Sequence, residues 1–153
     1  MEQKILFLST FPPKKCGIAS FTKDLMDAIN KATSANLILE TYALDQEKKS
    51  ILYKYPVTRV VDSYDLDSFI EAAANINNDN AVKLVCIEHE FGLYGGELGE
   101  YLLGFLSMLD KPFIIRFHTV LANPSVKMLN VVKAFQNGSS VRNDMCRINI
   151  LSI

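Results

Sequence analysis

Three short apolar runs, each followed at once by a loop crowded with glycine, proline or histidine, constrain what this chain can fold into. The runs are KILFLST (Lys4 to Thr10), KLVCIEH (Lys83 to His89) and PFIIRFH (Pro112 to His118). The loops behind them are FPPKKCGIASF, EFGLYGGELGEYL and TVLANPS. Apolar runs of this length bounded by turn residues read as buried strands of a parallel sheet. In such sheets ligands bind in the crevice outside the carboxyl ends of the strands. Three decorated loops on one rim therefore suggest a binding or catalytic cleft.

The segments between the runs carry helical or strand signals. Ile18 to Ala32 places Phe21, Leu25, Ile29 and Ala32 at helical spacing. Asn36 to Leu44 reads as a second strand, QEKKS as a solvated turn, and Val57 to Val61 as a third strand rich in β-branched residues. Asp65 to Ile76 predicts a helix whose N-terminal aspartates suit the helix dipole, with NNDN marking its end. GELGEYLLGFLSML predicts a helix over 96–109, and another begins at Asn123 or Pro124. Strands separated by helices favour right-handed βαβ units. The expected fold class is α/β: a Rossmann-like, doubly wound parallel sheet with helices on both faces.

Composition excludes several alternatives. A domain of 153 residues buries roughly 68–70% of its unfolded-chain surface, enough for a core without disulfide staples. Lys and Arg number 16 against 17 Asp and Glu, and the basic pairs Lys14-Lys15 and Lys48-Lys49 do not form the clustered stripe that nucleic-acid binding needs. Glu2 and Pro12-Pro13 argue against a signal peptide, and no stretch approaches the roughly 18 apolar residues of a membrane span. A cytoplasmic protein is expected. Cys16, Cys86 and Cys146 lie too far apart for a CxxC metal pair or an even disulfide framework.

Each loop offers candidates beside a structural alternative. In the first, Gly17 precedes a helix whose unpaired N–H groups and dipole favour an anion, with Lys14 and Lys15 as possible phosphate contacts. The same residues also suit a rigid turn with two solvated lysines. In the second, Gly92, Gly95, Gly96 and Gly99 surround Tyr94 behind Glu88, His89 and Glu90, an adaptable backbone beside groups that hydrogen-bond sugar hydroxyls or move protons. Those glycines equally allow tight helix packing. His89-Glu90 lacks an HExxH partner, so no metal site is expected. In the third, His118 ends an apolar strand and projects over the rim, or is a satisfied structural histidine; Ser125 suits a helix start better than a nucleophile.

Taken together, TFPPKKCGIASFTKDL, IEHEFGLYGGELGEYLLGFL and RFHTVLANPS resemble the N-terminal domain of family 4 retaining glycosyltransferases of the GT-B type (glycosyl transferase group 1). The likeness is closest to a bacterial group with CGIA(S/T)F, HE(F/Y)G and HTVL segments, and it covers about Lys4 to Ala134. It implies one half of a GT-B fold, in which two Rossmann-like domains face each other across a cleft. It further implies a hexosyltransferase using a nucleotide-sugar donor, a carbohydrate acceptor and no cofactor or metal. Gly17, with Ile18 and Lys15 beside it, would lie at the donor diphosphate. His118 would orient the donor sugar or stabilise developing charge. His89, Glu90, Phe91, Gly95 and Gly96 would shape the acceptor pocket.

The departures carry expectations too. The resembling enzymes are more than twice as long, and their second domain contributes a Glu-x7-Glu motif and phosphate-clamping basic residues that these 153 residues do not contain. Residues 1–134 are thus expected to be the N-terminal domain, and 135–153 a last strand (RINILSI) or an aberrant, truncated tail. A truncated or frameshifted reading frame, or half of a split enzyme paired with a separate donor-domain chain, would account for this. The chain alone is expected to be inactive. A non-catalytic sugar- or nucleotide-binding module is the alternative; a nucleotide-dependent oxidoreductase lacks support because GxGxxG is missing.

Overall fold

A computed structural model describes residues 2–33, 36–45 and 51–140. The QEKKS turn and the RINILSI strand expected from the sequence lie outside the described residues. Among the described residues, five strands and four helices follow in chain order: β1 (Gln3–Ser9), α1 (Gly17–Ala32), β2 (Leu37–Asp45), β3 (Val57–Asp62), α2 (Leu66–Asn78), β4 (Val82–His89), α3 (Tyr101–Met108), β5 (Phe113–Phe117) and α4 (Val126–Ser140). The strands form one all-parallel sheet in the order β3-β2-β1-β4-β5. This is an α/β, Rossmann-like doubly wound fold, as the run-and-loop pattern predicts.

Side chains alternate across a strand with period two, so each strand feeds two cores. On β1, Leu6 and Leu8 join one core with Val85 and Ile87 of β4, Ile115 of β5, Phe69 and Ile76 of α2, Phe105 of α3 and Phe135 of α4. Phe7 faces the opposite side with Leu39 and Ala43 of β2 and Met26 of α1. The sheet is therefore covered by α1 on one face and by α2, α3 and α4 on the other.

Helix starts follow capping chemistry. Asp65 accepts from the Asp67 N–H at 3.0 Å at the head of α2, and Ser125 Oγ accepts from Met128 N–H at 3.2 Å at the head of α4. The α4 start thus falls after Ser125, not at Asn123 or Pro124. A larger correction concerns 96–109. Helix begins only at Tyr101, because Gly95, Gly96 and Gly99 have φ of 52°, 78° and 85°. Those left-handed backbones cannot continue a right-handed helix.

Candidate functional site

Because the chain builds β1, β2 and β3 outward in one direction and then returns to add β4 and β5 on the other side, strand order reverses between β1 and β4. A crevice opens at the carboxyl ends of strands at such a switch point. The loops after β1, β4 and β5 all leave from this rim.

At its centre is a buried ionic cluster. Glu88, the penultimate residue of β4, is 1% exposed and sits opposite Arg116 in the β4–β5 register. An isolated buried carboxylate is costly unless paired and hydrogen-bonded. Glu88 is paired twice: one oxygen accepts from an Arg116 guanidinium nitrogen at 3.0 Å, the other from His118 Nε2 at 2.8 Å. A carboxylate only accepts, which assigns the ring hydrogen to Nε2 and leaves Nδ1 as the second functional nitrogen of His118. Phe21 of α1 packs edge-on to the His118 ring at 5.0 Å, and Arg116 lies 5.1 Å over the Phe21 ring. The cluster thereby joins β4, β5 and the first turns of α1.

The β1–α1 loop is fastened at both ends. Cys16 caps α1, its sulfur accepting from Ala19 N–H at 3.4 Å and lying 3.1 Å from Thr10 Oγ1. Ser9 and Thr22 hydroxyls meet at 2.7 Å. Lys14 turns away to Asp45 at 3.5 Å and the Leu44 carbonyl at 3.4 Å, holding the loop against the end of β2. Lys15 and Gly17 are exposed, while Ile18 is partly buried. Gly17 opens α1, and a Cβ there would meet nothing within 4 Å. The backbone at the helix start is open to an approaching group.

The β4–α3 loop is built around Tyr94, which has no exposed surface. Its hydroxyl lies 2.8 Å from the Glu88 carbonyl and 3.2 Å from the Leu8 carbonyl, tying the loop down onto both strands that border the crevice. Burial, and then the Glu88 charge, raise the Tyr94 phenol well above its ordinary value and keep it a donor. Glu90 accepts from Thr119 Oγ1 at 2.6 Å and from the Phe91 N–H at 3.0 Å, so the second and third loops are linked. Glu90 and Phe91 are partly exposed; Gly95 is partly exposed and Gly96 exposed.

His89 takes a different position. It is fully buried, stacked on Tyr94 at 5.6 Å and enclosed by Phe91, Phe117 and Phe135 at 4.8–5.2 Å. Neither ring nitrogen has a hydrogen-bond partner among the described residues. Contact with an acceptor would require these rings to part, so His89 supports the loop from beneath. Burial, and secondarily His118, lower its pKa to about 4. A base whose folded pKa lies below its unfolded value of about 6.5 contributes stability above that value and loses it as pH falls towards 4. Wild type is expected to lose about 2–3 kcal/mol more than His89→Phe between pH 7 and pH 4. Urea unfolding of both proteins at each pH measures this; parallel losses contradict it.

Thus Gly17, His118, Glu90, Phe91, Gly95 and Gly96 lie on the loops of one rim, whereas His89 lies beneath it. Sequence reasoning names Glu88 only among the groups that hydrogen-bond sugar hydroxyls or move protons, and assigns no role to Arg116 or Thr119. A signal for the Glu88 and Arg116 pair was present: one acid in KLVCIEH and one arginine in PFIIRFH, each set among mostly apolar residues near the carboxyl end of its strand. Such residues rarely enter a core except as partners. Among the described residues no three metal-ligating side chains converge, and no helix is long and apolar enough to cross a membrane. Comparison with protein-family models, curated proteins and solved structures finds no match to this chain.

Proposed function

We propose that these residues form the acceptor-side wall of a retaining glycosyltransferase of the GT-B type, completed by a second Rossmann-like domain in the same polypeptide or in a partner chain. The supporting observation is the Glu88 carboxylate, which holds both Arg116 and His118 at the strand-order switch, against the first turns of α1. In this reading Glu88 fixes the tautomer and tilt of His118 as a positioning residue. His118 Nδ1, an acceptor in this tautomer, then takes a hydrogen bond from a donor-sugar hydroxyl and orients the sugar, while Arg116 stabilises the negative charge developing on the nucleoside diphosphate as it departs from the face that the acceptor hydroxyl attacks. Gly17 and Ile18 offer backbone N–H groups to the diphosphate, with Lys15 at the loop edge. Glu90, whose carboxylate is oriented by Thr119, hydrogen-bonds the acceptor; Phe91, Gly95 and Gly96 shape its pocket. The chemistry requires no metal or redox cofactor.

Calorimetric titration of the 153-residue chain tests the reading. Nucleoside diphosphates and nucleotide sugars are expected to bind weakly, and Gly17→Val, whose Cβ meets no protein atom within 4 Å, is expected to weaken them about fivefold or more by crowding the helix start. One wall alone is expected to give no glycosyl transfer. Dinucleotide binding with no effect of nucleotide sugars would refute the proposal, and measurable transfer by these residues alone would refute the division into two walls.

A further inference from the structure

Beside the crevice lies a second concavity, of about 160 Å³, lined by Thr119, Val120, Leu121 and Pro124 of the loop after β5, by Phe91 and Phe117, and by the α4 residues Met128, Leu129 and Val132. Its lining is apolar apart from the Thr119 hydroxyl. Along its lip Val120 is 56% exposed, Leu121 45% and Leu129 40%, with Val126 nearby at 75%. Single exposed apolar residues are ordinary, but several within one short stretch around a cavity mark an interaction site. For scale, an apolar cavity of about 150 Å³ takes up benzene.

We propose that this cavity is a subsite for an apolar group the size of one six-membered ring, carried by a hydroxyl-bearing small-molecule acceptor. Two observations select an amphipathic occupant. Phe91 and Thr119 line the cavity and also flank Glu90, and Thr119 Oγ1 donates to that carboxylate at 2.6 Å. The cavity therefore has one polar edge, facing the loops that carry Glu90 and His118, and apolar walls elsewhere. A sugar or alcohol hydroxyl bound at Glu90 directs its apolar substituent inward, where the ring displaces poorly held water. The word acceptor rests on the glycosyltransferase reading; the preference for an apolar ring does not.

Amide NMR of the full chain, titrated with phenyl β-glucoside, benzyl alcohol and glucose, tests this. Phenyl β-glucoside is expected to shift residues 91, 119–121 and 128–132 and to bind at least about tenfold more tightly than glucose. Leu129→Asp, which charges the exposed lip, and Met128→Phe, which fills the cavity, are each expected to weaken it about tenfold with the melting temperature unchanged. Equal affinity for glucose and phenyl β-glucoside, or shifts confined to other surfaces, overturns the subsite. If the aryl ligands bind here while no nucleoside diphosphate binds near Gly17, the subsite stands and the glycosyltransferase reading falls. The converse overturns the subsite alone.

Discussion

Glu88→Ala is expected to lower the unfolding free energy by about 2–4 kcal/mol at pH 7, because removing one member of a buried ionic cluster strands the others. The carboxylate is 1% exposed and is the shared acceptor of Arg116 and His118, whose side chains are 21% and 13% exposed. Without it, the guanidinium remains over the Phe21 ring with no counter-charge in that cluster, and the imidazole loses the contact that sets its tilt. Partial access of Arg116 to water keeps the loss below that of a fully buried pair. In a chain this long the thermal midpoint should fall by about 5–12 °C. The paired replacement Glu88→Met with Arg116→Met should recover much of the loss, since a well-packed apolar pair is often no less stable than a buried ion pair. Urea denaturation of the single and double variants measures both effects. A Glu88→Ala loss below about 0.5 kcal/mol, the scale of an ordinary surface substitution, contradicts the account.

Gly95→Ala is expected to cost about 3 kcal/mol or more, or to displace the whole β4–α3 loop, since two penalties combine. At φ of 52° any residue with a Cβ pays about 1–2 kcal/mol. The added methyl would also overlap the Ser63 carbonyl oxygen, a backbone atom at the end of β3, and the Tyr101 ring. Gly17→Ala is the contrasting case: its Cβ meets open space within α1, and the change is expected to be neutral or to stabilise by up to about 1 kcal/mol. The denaturant midpoint should fall for Gly95→Ala and hold or rise for Gly17→Ala. Equal effects at the two glycines contradict the assignment of the second loop as a fixed backbone structure.

The contrast between those glycines also shows what a linear reading can and cannot supply. The apolar runs identified β1, β4 and β5 because a strand buried on both faces needs apolar residues at nearly every position. Period-3.6 spacing located α1 and α2 within a residue or two of their ends. The stretch from Gly96 to Glu100 misled because it adjoins a true helix and shares its apolar residues; positive φ is a property of folded backbone that glycine permits without announcing. The pairing of Glu88 with Arg116 becomes legible only through register, since nothing in a single chain states that these two positions face each other across parallel strands. His89 illustrates the reverse difficulty. Its position beside Glu90 in a glycine-rich loop reads as a ligand contact, yet strand alternation carries its ring into the aromatic core.

His118, held by Glu88, is proposed to face a nucleotide-sugar site at the β1–β4 switch. Imidazole nitrogen NMR of the full chain, titrated with a panel of nucleotide sugars and with a dinucleotide, tests it most directly. A nucleotide sugar is expected to perturb His118 together with the Gly17 and Ile18 amides, to leave the enclosed His89 ring almost unmoved, and to lose its effect on His118 in Glu88→Gln. A dinucleotide that perturbs these residues while no nucleotide sugar does, or a His118 signal indifferent to every nucleotide sugar, would contradict it.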